Sequence, residues 1–245
     1  MLYYNILIAF FSGLLPVLFW LWFFEHEDKH PEPIKLTIIA FLSGMAMVIV
    51  ALPLENYVCG FLTSSAIKTG SAFCITNPPP PGIVIFAWVA IEELLKFGIT
   101  YILVLRRAEN HEPIDSMMYL ITAALGFSAL ENALFVFSSI YSEGLVRALG
   151  NSDLRFIGAS LLHVVASSVI GYALAISFYK SKRMRIIYGT AGLVVAIVLH
   201  ALFNFSIMRF NNTEPIIPFY GVWIAVILLL LAFEKVKQVK KAKKS

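Results

Sequence analysis

Seven apolar runs, separated by short polar or proline-rich breaks, order the whole chain: 2–24, 34–54, 82–105, 116–141, 157–179, 186–208 and 216–233. A helix of about 20 apolar residues, rising about 1.5 Å per residue, crosses a hydrocarbon layer about 30 Å thick. The breaks include His30-Pro31-Glu32-Pro33, the proline-rich 77–82 and Thr213-Glu214-Pro215, which read as turns outside the hydrocarbon. No internal repeat interrupts the pattern. The expected fold is all-α: a polytopic membrane helix bundle with about seven transmembrane helices, one domain over 1–245, and its polar motifs within about 82–208.

Composition supports that reading. Hydrophobic residues make up 59% of the chain and charged residues 14%, with a mean hydropathy of +0.81, which excludes an ordinary soluble core. The formal charge of +4 gathers in the tail 234–245, where six lysines suggest a cytoplasmic anchor and not a nucleic-acid surface. The first run has no basic segment before it and no small-residue cleavage site after it, so it is expected to be a retained helix.

Lysine and arginine then set the orientation. With the N-terminus outside and the C-terminus inside, Lys29, Lys35, Arg106, Arg107, Lys180, Lys182, Arg183, Arg185 and the tail lysines lie inside. Only Lys68, Arg147, Arg155 and Arg209 lie outside. The stretch 55–81 becomes an extracytoplasmic loop, where Cys59 and Cys74 are either a disulfide or two free thiols.

The third run carries Glu92, Glu93 and Lys96 at its middle. A charge at the bilayer centre costs on the order of 3 kcal/mol on insertion scales, so such residues ask for a function. Glu131, His163 and His200 recur in the next three runs. Counted from the outer ends of their helices, Glu92, Glu131, His163 and His200 lie about 9 to 15 Å deep, in one layer of the outer half. Glu92 and Lys96, four residues apart, are expected to pair on one face. His200 with Asn204, above Gly192 and Ala196, and His163 with Ser167, Gly171 and Ala175 are expected to turn small-residue faces toward one another.

Taken singly, these features have plain explanations: a Glu–Lys pair is often structural, and a lone histidine in an apolar helix is more often a packing residue than a ligand. Their coincidence in one layer of four helices favours a functional site. Three carboxylates against one lysine leave an excess of about two negative charges, which either shared protons or a divalent cation would balance. Histidine and glutamate are zinc ligands, and a catalytic zinc takes three protein ligands and keeps one position open, but the chain holds no HExxH pair. The residues therefore admit a water-activating hydrolase, a zinc-dependent seven-helix membrane hydrolase, or a proton-coupled transporter using the Glu/His cluster as a relay. The transporter reading lacks a visible inverted repeat.

Glu92-Glu93-x-x-Lys96 matches EExxK, and Phe127-x-x-x-Glu131 matches FxxxE; with the later histidines they resemble the PrsW family of intramembrane proteases. That family is related to the CAAX-processing and bacteriocin-processing proteases, whose motifs are EExxxR, FxxxH and HxxxN. The resemblance covers the third to sixth runs. It departs at the last motif, where the family's HxxxD becomes His200-x-x-x-Asn204. The resemblance implies an intramembrane endopeptidase of a prokaryotic plasma membrane. Its expected substrates are single-pass membrane proteins of the anti-sigma-factor kind, cut near the extracytoplasmic side. By the same resemblance Glu92 would be the general base, with Glu131 holding the water, Glu93 tuning the pair and Lys96 balancing it. His200 and Asn204 would donate to the oxyanion, and His163 would be a second acid, a metal ligand or a packing residue. No cofactor is required on this glutamic reading, and zinc is the expected metal if one is used.

Overall fold

The computed structural model describes residues 2–27, 32–63, 81–210 and 217–240, and among these no strand occurs. The helices are α1 (Leu2–Glu27), α2 (Ile34–Thr63), α3 (Gly82–Thr100), α4 (Pro113–Glu143), α5 (Leu145–Ile176), α6 (Lys182–Phe210) and α7 (Ile217–Val236). A π-helical turn, Tyr101–Leu105, continues α3. The all-α membrane bundle expected from the apolar runs is the fold observed. Five helical segments are long and apolar enough to cross a membrane: Leu2–Glu27, Ile34–Thr63, Pro113–Glu143, Gly158–Ile176 and Lys182–Ile207.

Two boundaries differ from expectation. Helix α2 runs on to Thr63, nine residues into the stretch 55–81 read as loop. Pro53 inside it does not end it, and the added turns are held by Thr63 Oγ1 donating to the Cys59 carbonyl and Trp88 Nε1 of α3 donating to the Glu55 carbonyl. Helix α5 begins at Leu145, well before the apolar run at 157. Only Gly144 separates it from α4, and a φ of 85°, costly for other residues, lets one position turn the chain. Cys59 is buried and disulfide-bonded. Cys74, the other half of the pairing considered above, lies outside the described residues.

Helices α4 and α5 form the centre. In their most apolar windows 72% of residues are buried, against 17% in α1, which identifies the inner and outer layers. Helix α4 packs on α1, α2 and α5, and α5 on α6 and α7, while α3 closes the ring between α2 and α6. At the α2–α4 crossing, a Cβ on Gly126 would lie 1.9 Å from the Phe41 carbonyl oxygen, and one on Gly44 2.0 Å from that of Ala123. Backbone meets backbone there, so only glycine fits. The two helices run in the same direction: Glu32 just before α2 accepts a hydrogen bond from the Tyr119 hydroxyl, and further along Val48 and Ala51 share an apolar cluster with Phe127.

The small-residue faces of α5 and α6 do not simply meet. Gly192 of α6 does pack on Ile170 and Ala173 of α5, but Gly171 of α5 turns to Met117 of α4. The centre of the bundle attracts that face because α4 offers a partner along its whole length. On the outside, Phe19, Trp22, Ile49 and Leu228 are exposed, an apolar surface suited to lipid.

Candidate active site

Helices α3, α4, α5 and α6 each contribute polar side chains to one buried cluster. Glu93 and Lys96 of α3 have no exposed surface, and His163 of α5 and His200 of α6 are each 2% exposed. Burial of these groups in a membrane bundle is tolerable only if their hydrogen-bonding capacity is met.

Lys96 is the hub. Its Nζ lies 2.6 Å from Glu93 Oε1 and 3.0 Å from His163 Nδ1, and 4.9 Å from the centre of the Phe127 ring. The ion pair therefore joins Lys96 to Glu93, three residues before it, and not to Glu92 as helical spacing suggested. Both spacings reach on a helix, and the choice is made from outside it: His163 and Phe127 draw the ammonium toward α5 and α4.

The tautomers follow from Lys96 having only donors. His163 Nδ1 accepts from it, so Nε2 carries the hydrogen and donates to Glu131 Oε2 at 2.7 Å. Glu93 Oε1 also accepts from His200 Nδ1 at 2.8 Å, and Ser167 Oγ donates to its Oε2 at 3.4 Å. His200 thus presents Nε2, its unprotonated nitrogen in the neutral ring, to the remaining space. The two imidazoles meet edge to face, with centres 4.9 Å apart.

Glu92 faces that space. Its Oε2 is buried without a hydrogen-bond partner, 3.9 Å from His163 Nδ1 and 3.9 Å from His200 Nε2. An orphaned carboxylate oxygen at this distance from two imidazoles has room for one bridging water. Glu131, with a side chain 28% exposed, is the most open of the acidic members. Asn204, one turn beyond His200, is half-buried and makes no hydrogen bond among the described residues.

Glu92, Glu93, His163 and His200 also have the composition of a metal site, and one donor atom from each lies within 4.8 Å of all the others. In the present arrangement, however, Glu93 Oε1 is taken by Lys96 and His200, and His163 Nδ1 by Lys96. Glu92 Oε2 and His200 Nε2 remain open, and Glu93 Oε2 carries only the 3.4 Å bond from Ser167; a catalytic zinc takes three protein donors. An ammonium inside the donor shell would also repel the metal. Zinc held by all four would therefore compete with Lys96 for Glu93 and His163.

Several participants escaped the sequence reading. Ser167 was expected only as part of the small-residue face below His163, and its bond to Glu93 was not. Ser128 and Ser160, buried between α4 and α5, accept from Asn132 Nδ2 at 3.1 and 3.0 Å and are joined to each other at 2.9 Å. They lie one turn before Glu131 and His163 respectively and lock the two helices in register. Small hydroxyl side chains barely disturb an apolar run, so hydropathy gives them no signal.

Comparison with known proteins agrees with the motifs. A family model described as PrsW family intramembrane metalloprotease matches residues 32–232. Among curated proteins, Protease PrsW of Bacillus subtilis is 25% identical over 235 residues, covering 96% of this chain and 94% of that protein. Protease PrsW of Oceanobacillus iheyensis is 23% identical over 218 residues, covering 89% and 91%, and that of Geobacillus kaustophilus is 23% identical over 233 residues, covering 95% and 91%. No solved structure matches the chain.

Proposed function

The chain belongs to the PrsW family of intramembrane proteases, and from that premise we propose that it cuts single-pass membrane proteins with a water activated by Glu92. The observation that carries this is the unpartnered, buried Glu92 Oε2, set 3.9 Å from each of two imidazole nitrogens. A water held there has an acceptor for its proton and neighbours that fix its direction. Glu92 removes the proton as the water oxygen attacks the scissile carbonyl.

The neighbours have distinct parts. Glu131, fixed by His163, closes the α4 side of the water's site. His200 spends its Nδ1–H on Glu93, so its Nε2 serves as a second acceptor for the water; this moves it from the oxyanion role that the resemblance implies. Asn204 then supplies the amide N–H for the oxyanion, a contribution commonly worth about 2.7–4 kcal/mol in the barrier. The proton taken by Glu92 returns to the departing nitrogen as the C–N bond breaks, giving a carboxylic acid and an amine, between which the remaining proton passes to leave a carboxylate and an ammonium. Glu93 and Lys96 keep the two histidines oriented.

No cofactor is needed in this scheme. With the N-terminus outside, the site lies in the outer half of the bilayer, so the natural substrates are single-pass proteins of the anti-sigma-factor kind with a cut near the extracytoplasmic side. The substrate helix must unwind locally, because its carbonyls are otherwise internally bonded. Glu92→Gln and Glu131→Gln in the reconstituted protein are expected to abolish cutting of such a substrate while leaving membrane insertion unchanged. Retained activity in both overturns the scheme.

A second reading is supported by the four-residue donor set itself: with Lys96 displaced, Glu92, Glu93, His163 and His200 would hold zinc. It predicts stoichiometric zinc through purification, lost in His163→Ala with His200→Ala.

A further inference from the structure

We propose that a groove between α5 and α6 holds one molecule of anionic phospholipid, with an acyl chain along the groove and the phosphate on the basic turn 180–185. The site is separate from the buried cluster and does not depend on the protease reading.

Helices α5 and α6 meet closely at Gly192, where an added Cβ would lie 2.8 Å from that of Ala173. Beside that contact they leave a groove of about 290 Å³, walled by Val169, Tyr172 and Ile176 of α5 and by Ile187, Tyr188 and Val195 of α6. Ile187 and Val195 are 49% and 47% exposed, so the groove opens on the surface suited to lipid. Its lining on α6 runs from Ile187 to Val195, about 12 Å at helical rise, against about 15 Å for the hydrocarbon of one leaflet. Counted along the helices, the groove begins about 8 to 9 Å from His200 and His163 and runs away from them. One acyl chain matches this length. A substrate helix, about 10 Å across, is too thick for a space of this volume.

Charge at the far end of the groove selects the headgroup. Lys180, Lys182, Arg183 and Arg185 fall within one short turn, and no acidic residue occurs anywhere from 154 to 213. Lys180 Nζ lies 5.7 Å from the centre of the Tyr188 ring, itself a wall of the groove, so the cations stand at its mouth. Lys180, Lys182 and Arg183 are exposed, and none of the four basic residues makes an ion pair among the described residues. The dipole of α6 also opposes cations at its start, and its first turn holds no acidic residue to offset them. Inorganic phosphate would answer the charge and leave the apolar groove open, while a neutral lipid would fill the groove and leave the charge. An anionic head joined to an acyl chain meets both.

The test uses the full chain purified in a neutral detergent and titrated with phosphatidylglycerol or phosphatidylcholine of the same acyl chains, with bound lipid counted by native mass spectrometry. One phosphatidylglycerol per chain is expected, held at least about tenfold more tightly than phosphatidylcholine, since each basic side chain near an anionic head contributes about fivefold. Replacing Lys180, Lys182 and Arg183 together by glutamine, all at exposed positions, is expected to bring that ratio to about one. Ala191→Trp fills the groove from its exposed rim and is expected to weaken phosphatidylglycerol at least about tenfold with every cation in place. Val194→Trp, exposed on α6 but outside the groove lining, is expected to leave binding unchanged. Equal retention of the two lipids, an unchanged ratio in the triple variant, or binding that Ala191→Trp does not weaken would each overturn the site, the last by reducing it to surface charge. Complete displacement of the lipid by inorganic phosphate would do the same, and so would a dimer of the chain in these spectra that Ala191→Trp dissociates, which would make a second copy the occupant.

Discussion

Replacing Lys96 by methionine keeps the length of the side chain and removes the cation that, among the described residues, the buried cluster is built around. The Lys96 and Glu93 side chains are both fully buried and 2.6 Å apart, so water cannot take the place of the lost partner. Removing one member of such a pair costs about 3–5 kcal/mol. The hydrogen bond that Lys96 donates to His163 Nδ1 at 3.0 Å disappears as well. Equilibrium unfolding in mixed micelles, followed by helicity, reads the loss directly. Adding Glu93→Gln to Lys96→Met neutralises the stranded carboxylate and is expected to recover about 1–3 kcal/mol, the coupling of groups in direct contact. Adding Glu92→Gln is not expected to do so. A single-variant loss under about 1 kcal/mol, or rescue by Glu92→Gln in preference to Glu93→Gln, would refute the pairing and return Lys96 to the partner four residues away.

Other substitutions probe the frame around the site. Gly126→Val drives a side chain into the Phe41 carbonyl and is expected to destabilise the bundle by at least about 1–3 kcal/mol, whereas Gly98→Ala, with nothing within 4 Å of the added carbon, stays within about 0.5 kcal/mol in the same unfolding assay. Ser160→Ala strips one acceptor from the buried Asn132 amide and is expected to cost about 1–2 kcal/mol by the same measurement. At the start of α4, hydrogen bonds to the Glu109 carbonyl and the Asp115 carboxylate hold the His111 pKa above its ordinary 6.5. Its contribution to stability is therefore complete below 6.5 and is lost as pH rises through the higher folded value. NMR titration is expected to show His111 moving back toward 6.5 in Asp115→Asn.

Much of this arrangement was written in the sequence in a form that simple counting recovers. Apolar length alone located the helices, since a membrane-length run has little alternative to a helix. Depth counting brought Glu92, Glu131, His163 and His200 to one level, and side chains at one level of adjoining helices can touch, as His163 and Glu131 do at 2.7 Å. What counting could not supply was direction. Whether Lys96 turns to Glu92 or Glu93 depends on His163 and Phe127, which lie on other helices. The last turns of α2 were hidden because Pro53 and the end of the apolar run together look like an exit from the membrane, while Trp88 and the shared cluster at Ala51 keep α2 against its neighbours. Ser128, Asn132 and Ser160 matter only as a set bridging two helices, and no single helix's pattern reveals such a set.

The central claim is that Glu92, and not a metal, activates the water. It is tested most directly by the rate at which purified protein in nanodiscs cuts a single-pass substrate, with bound zinc measured on the same sample and a strong chelator present or absent. The account predicts cutting without stoichiometric zinc, unchanged by chelator, and absent from Glu92→Gln. Cutting that chelator abolishes and added zinc restores, or that persists in Glu92→Gln, would contradict it.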